Sequence, residues 1–138
     1  MKLDTARLLT LAKRYTAAWC SQDPASVAAF FAPDGSLSVN GVPAIGRSAI
    51  IEVARGFMAA FPDMVLTMND AVIEGDHAFY HWTLDGTTTG SGGTRTRVRV
   101  RIRGYEQWLL GDDGLIAESQ GHFDEADYQY QLKYGLPK

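Results

Sequence analysis

Apolar side chains at Leu8, Leu11, Ala12, Tyr15 and Trp19 recur at helical spacing, which predicts a first helix with Asp4 as its N-cap. Asp23-Pro24 is a cap followed by proline at the first helical position, so it opens a short second helix through Val27, Phe30 and Phe31. Pro33-Asp34-Gly35 breaks the chain, and residues 36–40 read as a short strand. A third helix carries Ile50, Val53, Ala54, Phe57 and Phe61 on one face and stops before Pro62. The period then changes to two. Strands are predicted over 64–74, 78–84, 94–110 and 115–124. Gly75-Asp76 and Gly111-Asp112-Asp113-Gly114 are tight turns, GTTTGSGG is a loop, and 126–132 is a closing helix. The order α-α-β-α-β-β-β-β-α implies an α+β fold with a strongly curved, mostly antiparallel sheet. Helices packed on its concave face would leave a pocket between the layers.

Strand parity assigns faces. In 97–108, Arg97, Arg99, Arg101 and Arg103 alternate with Val98, Val100 and Ile102, so the arginines face solvent or a partner and the aliphatics face the core. Continued without a bulge, the count puts Glu106 and Trp108 on the core side, although Gly104 could host a bulge that spoils it. In the last strand Glu118, Gln120, His122 and Asp124 share a face, so His122 and Asp124 are expected to line the cavity together.

Composition narrows the function classes. At 138 residues the chain is one domain, residues 1–138, and buries roughly two thirds of its unfolded surface. The formal charge of −3 gives no global reason to bind nucleic acid or an anionic membrane. The arginine stripe, headed by Arg95, lacks flanking stacking aromatics and reads as a solvated or interface face. No apolar run approaches the roughly 20 residues of a membrane span, and the N-terminus lacks a signal-peptide pattern. The single cysteine, Cys20, fits a reducing compartment, so a cytoplasmic location is expected. His77, His81 and His122 show no compact ligand spacing, so no metal site and no cofactor is expected.

The segments RYTAAWCSQDPASVAAFFAPDGSL (14–37), HWTLDGTTTG (81–90) and DDGLIAESQGHFDEADYQYQLKYG (112–135), in this order and spacing, resemble the nuclear transport factor 2-like superfamily of cone-shaped half-barrels. Within it they look most like the SnoaL-like polyketide cyclases. The resemblance implies that Asp124 falls on the cyclase acid/base carboxylate, and that Gln131-Leu132 with Gly135 matches a closing QLG signature. Tyr15 matches the oxyanion-donating tyrosine of the more distant ketosteroid isomerases, and Glu106 falls near their second, protonated acid. The isomerase base falls on Asn40, which cannot abstract a proton, so that chemistry is rejected. Gly86-Thr87-Thr88-Thr89-Gly90 has threonine where the cyclases have histidine.

These readings converge on a cofactor-independent acid/base enzyme, an aldol-type cyclase or a related lyase or isomerase, acting on a small carbonyl compound held in the pocket. Asp124, His122 and Tyr15 are the candidate catalytic residues. Trp19, Phe57, Phe61, His81, Trp82, Glu106 and Trp108 are the candidate binding residues. An apolar pocket would raise the pKa of Asp124 toward values useful for proton transfer, and Tyr15, His81 or His122 would orient substrate or stabilise an enolate. The capping sequence HF-D-EADYQ offers a plainer role for Asp124, as a helix cap. The rival function is non-catalytic binding of a small apolar molecule. A homodimer through the outer sheet face is expected, since relatives pair there.

Overall fold

In a computed structural model, residues 4–88 and 97–135 are described. The expected strand start at Thr94, with Arg95, Thr89 and Gly90, lies outside them. Helix α1 (Thr5–Cys20) begins where the Asp4 carboxylate accepts the Arg7 N–H at 2.8 Å, and it buries Leu8, Ala12, Tyr15 and Trp19. Helix α2 (Pro24–Ala28) starts under the Asp23 cap but does not reach Phe31. Phe31 instead heads strand β1 (Phe31–Val39), fully buried opposite Ile116. Pro33-Asp34-Gly35 does not end the strand. It lies in an irregularity between the Phe31 and Ser36 pairings, where no ladder hydrogen bond is asked of proline.

Strand β2 (Val42–Ile45) was not anticipated. Its signal was Asn40-Gly41, with φ of 48° and 86°, a two-residue hairpin turn that needs left-handed backbone at both positions. Helix α3 (Arg47–Ala60) follows, then β3 (Val65–Glu74), β4 (His77–Thr87), β5 (Arg99–Leu110), β6 (Ile116–Phe123) and α4 (Glu125–Tyr134). The curved, unclosed sheet has the order β2-β1-β6-β5-β4-β3, antiparallel throughout except for the β1–β6 pair. Helices α1, α3 and α4 contact β3, β1 and β5, and an aromatic-rich core fills the space between them and the sheet. Among the described residues no helix is long and apolar enough to cross a membrane.

The closing signature has a mechanical role. Strand β6 ends opposite Gly104, so among the described residues β5 beyond that point has no strand on its β6 side. The buried Gln131 amide fills the gap: its Oε1 accepts the Arg101 N–H at 2.7 Å and its Nε2 donates to the Arg101 carbonyl at 2.9 Å. This pins α4 onto β5 and satisfies backbone groups that would otherwise be left open.

Parity holds along β5. The β4–β5 register runs unbroken from His77↔Leu109 to Thr87↔Arg99, so Gly104 hosts no bulge. Val100, Ile102, Glu106 and Trp108 are buried, while Arg97, Arg99, Arg101 and Arg103 are exposed. Parity fails along β6. Leu110 pairs with Ile116 but Leu109 pairs with Glu118, so Ala117 is an extra residue. That bulge flips the strand. Beyond it Ser119 and Gly121 face the core, and Glu118, Gln120 and His122 share the outer face.

Candidate functional site

A cavity of about 60 Å³ lies between the helices and the concave face of the sheet. Helix α1 supplies Trp19, α3 supplies Val53 and Phe57, and the sheet supplies Leu37, Val39, Leu66, Trp82, Leu84, Glu106, Gly121 and Phe123. Among the described residues, Glu106 is the one carboxyl group that lines it. A surface groove of about 340 Å³ shares Val39, Val53 and Phe57 with the cavity and continues past Val42, Pro43 and Tyr128.

Glu106 is the organising residue. Its Oε1 accepts three hydrogen bonds: from the Tyr15 hydroxyl at 2.9 Å, the Trp108 indole N–H at 3.0 Å and the Ser119 hydroxyl at 2.7 Å. The donors come from α1, β5 and β6, so the carboxyl is fixed by three elements. Its other oxygen, Oε2, accepts none of these bonds, and Glu106 lines the cavity. Burial raises the Glu106 pKa, and the donations from Ser119, Trp108 and Tyr15 only partly offset the loss of water. The protonated form keeps Oε1 as acceptor and carries its proton on Oε2. The group then presents an O–H donor to an otherwise apolar space.

Tyr15 is enclosed by rings, with edge contacts to Phe30 at 5.7 Å, Tyr80 at 5.5 Å and Trp108 at 5.1 Å. Burial first, then the neighbouring Glu106 carboxyl, pushes its phenol pKa well up, so it stays a neutral donor. Tyr80 stacks on Trp108 at 4.9 Å and shares a hydrogen bond with the Thr16 hydroxyl. Burial raises its pKa as well.

Trp19 and Trp82 line the cavity, and their indole nitrogens are buried with no hydrogen-bond partner among the described residues. Each such donor costs about 1–3 kcal/mol. The Trp19 N–H lies near enough to the Tyr15 hydroxyl to favour the phenolate slightly, but no bond of proper geometry joins them.

The structure therefore divides the sequence-predicted residues. Trp19, Phe57, Trp82 and Glu106 meet at the cavity. Tyr15 and Trp108 lie behind it and hold Glu106. Phe61 is core outside the cavity wall, packed so closely under β4 that a Cβ at Gly86 would stand 2.9 Å from its ring. His81 and His122 were expected in the cavity, but both lie on the outer face, in a row of rings with Tyr105 between them. Asp124 was expected beside His122 inside; it is exposed instead, capping α4 by accepting the Asp127 N–H at 3.0 Å. The bulge at Ala117 accounts for the displacement of His122. Asp124 follows β6 directly, at the start of a helix whose first turn favours a carboxylate. Asn40 is structural: its Oδ1 accepts the Phe123 N–H at 3.0 Å.

Sequence reasoning missed Ser119, whose place beside Glu106 depends on the bulge. It also missed the aliphatic walls at Leu37, Leu66 and Leu84, which nothing in a linear pattern separates from ordinary core. Among the described residues no group of three or more histidine, cysteine or acidic side chains could hold a metal ion.

A curved, open sheet with helices and an apolar cavity between them defines the ketosteroid isomerase-like, or nuclear transport factor 2-like, fold. The SnoaL-like domain profile matches residues 12–119, and the chain belongs to that family. TsrD from Streptomyces laurentii is similar at 26% identity over 95% of this chain and 98% of that one, with a TM-score of 0.81. A protein assigned as a SnoaL-like polyketide cyclase from Jannaschia sp. CCS1 is 14% identical over 99% of both chains, with a TM-score of 0.80. A protein with a ketosteroid isomerase-like fold from Catenulispora acidiphila, crystallised with trimethylamine, is 20% identical over 92% of this chain and 93% of that one, with a TM-score of 0.77. No curated protein matches the chain.

Proposed function

We propose that this SnoaL-like protein binds a small, largely apolar carbonyl compound at the concave face, with Glu106 as the polar group that meets it. The observation that carries the reading is the division of labour on one carboxyl: three donors on Oε1, none of them on Oε2, in a residue that lines an apolar cavity. A buried protonated carboxyl donates to a carbonyl oxygen and stabilises negative charge developing there. The finer reading is cyclase-like proton transfer on a carbon next to that carbonyl. In it Glu106 polarises the oxygen, and Asp124, adjacent in sequence to the cavity residue Phe123, is the candidate base. The names of the similar structures support the small-molecule part: one is assigned as a polyketide cyclase and another was crystallised with a small amine.

The second reading is binding without turnover. It is favoured by the Asp124 carboxylate, which is exposed and engaged as a cap. We also propose a homodimer on the outer face. It is supported by the Phe79, His81, Tyr105 and His122 rings, which lie together there.

Deuterium exchange at the α-carbon of small aryl ketones, followed by NMR beside equilibrium dialysis, separates the readings. Binding with exchange that Glu106→Gln abolishes is the expected result for an enzyme. Binding without exchange leaves the binding module, and no binding of any such ketone ends both.

A further inference from the structure

Among the described residues three buried side-chain donors have no hydrogen-bond partner, Trp19 Nε1, Asn40 Nδ2 and Trp82 Nε1, while the other polar groups around the cavity are paired. Glu106 gathers three donors, and Gln131 uses both ends of its amide. Against that background the unpartnered indole N–H of Trp82 calls for a ligand or water to complete it. It is not a loosely held ring. Gly104 lies directly opposite Trp82 in the β4–β5 register, and a Cβ there would stand 2.5 Å from Trp82 Cζ2. The ring therefore lies over the glycine, with Phe123 edge-on to it at 6.1 Å. Trp19 differs, because its N–H has the Tyr15 hydroxyl beside it.

We propose that the Trp82 indole N–H is a specificity-determining donor, which pairs with the carbonyl oxygen of a bound aryl ketone. The inference rests on the cavity being the ligand site proposed above. An indole N–H only donates, so the matching ligand atom is an acceptor. The cavity, at about 60 Å³, is smaller than the roughly 150 Å³ that admits a benzene ring, so it takes the carbonyl end alone. The ring of the ligand lies outward, past Val53 and Phe57, in the groove that shares those residues. The ligand class is thus an elongated, flat ketone, entering carbonyl first.

Acetophenone and ethylbenzene have one skeleton and differ by the carbonyl oxygen. Equilibrium dialysis with the full chain should give tighter binding of acetophenone, by about two- to tenfold, the range of one net hydrogen bond. Trp82→Phe should lower that ratio to what the Glu106 donor alone supplies, while ethylbenzene binding changes little. In the unaltered protein, the Trp82 indole proton resonance should move downfield with acetophenone and stay put with ethylbenzene, a readout that does not depend on the variant folding. Equal binding of the two compounds with an unmoved indole proton would overturn the role of Trp82 and leave the cavity a binding site. Failure of both compounds to bind would overturn the site reading and this inference with it.

Discussion

The two faces of the central strands, β4 to β6, are built from alternate residues of the same segments and carry opposite chemistry. On the concave face Trp82, Glu106, Trp108 and Ser119 are packed so that one carboxyl collects every nearby hydroxyl and indole donor that has proper geometry. On the outer face His81, Tyr105, His122 and the arginines stand in water or against one another. Arg101 pairs there with Asp85 at 2.6 Å. Ionisable groups are numerous where they are cheap and nearly absent where they are costly. Glu106 is the one buried acidic side chain among the described residues, and its presence asks for a function.

That contrast can be broken. Replacing Glu106 by leucine strands three buried donors and should cost on the order of 3 kcal/mol in urea unfolding. Arg103→Ala, across the same strand, should stay within about 0.5 kcal/mol. Equal effects would mean that the faces do not differ energetically. Gly104→Ala probes how tightly the concave face is filled. Its Cβ would meet Trp82 Cζ2 and the His122 carbonyl oxygen, each at 2.5 Å. A loss of about 1–3 kcal/mol with altered tryptophan fluorescence is expected, and an unperturbed protein would show that the Trp82 ring is free to move.

Asp124 tests the rim between the faces. As a cap it should cost about 1 kcal/mol on change to alanine, and Asp124→Ser, which can also cap, should restore most of that loss. If serine also restores any α-proton exchange, the cap is the whole role of the residue.

The smallest effect is the sharpest. Glu106→Gln keeps an acceptor for the three donors, so its stability near pH 4 should match that of the parent. The two should separate as pH rises. Because the folded carboxyl holds its proton above the ordinary value of 4.5, the folded state binds more protons than the unfolded one. The contribution of Glu106 is complete below that value and is lost as pH climbs through the raised folded pKa. Parallel stability curves for parent and glutamine variant across this range would mean that Glu106 is ionised in the folded protein.

The residue pattern by itself determined the α+β order, the capped helices α1 and α2, the α3 stripe and the alternation of β5. Each rests on local rules: helical spacing, a capping side chain, or period two along a strand whose pairing never slips. The inward placement of Glu106 follows from that alternation, and its chemistry could be expected before the fold was known. The β1–β2 hairpin was equally legible in Asn40-Gly41. The tertiary structure alone decided which face of β6 is inside. One extra residue at Ala117 reverses every side chain after it, and nothing in residues 115–124 taken alone distinguishes the bulged strand from the straight one. The choice is made by pairing with β5 beside the turn. There the bulge brings Ser119 to Glu106 and sends His122 to the outer face, where it needs no buried partner.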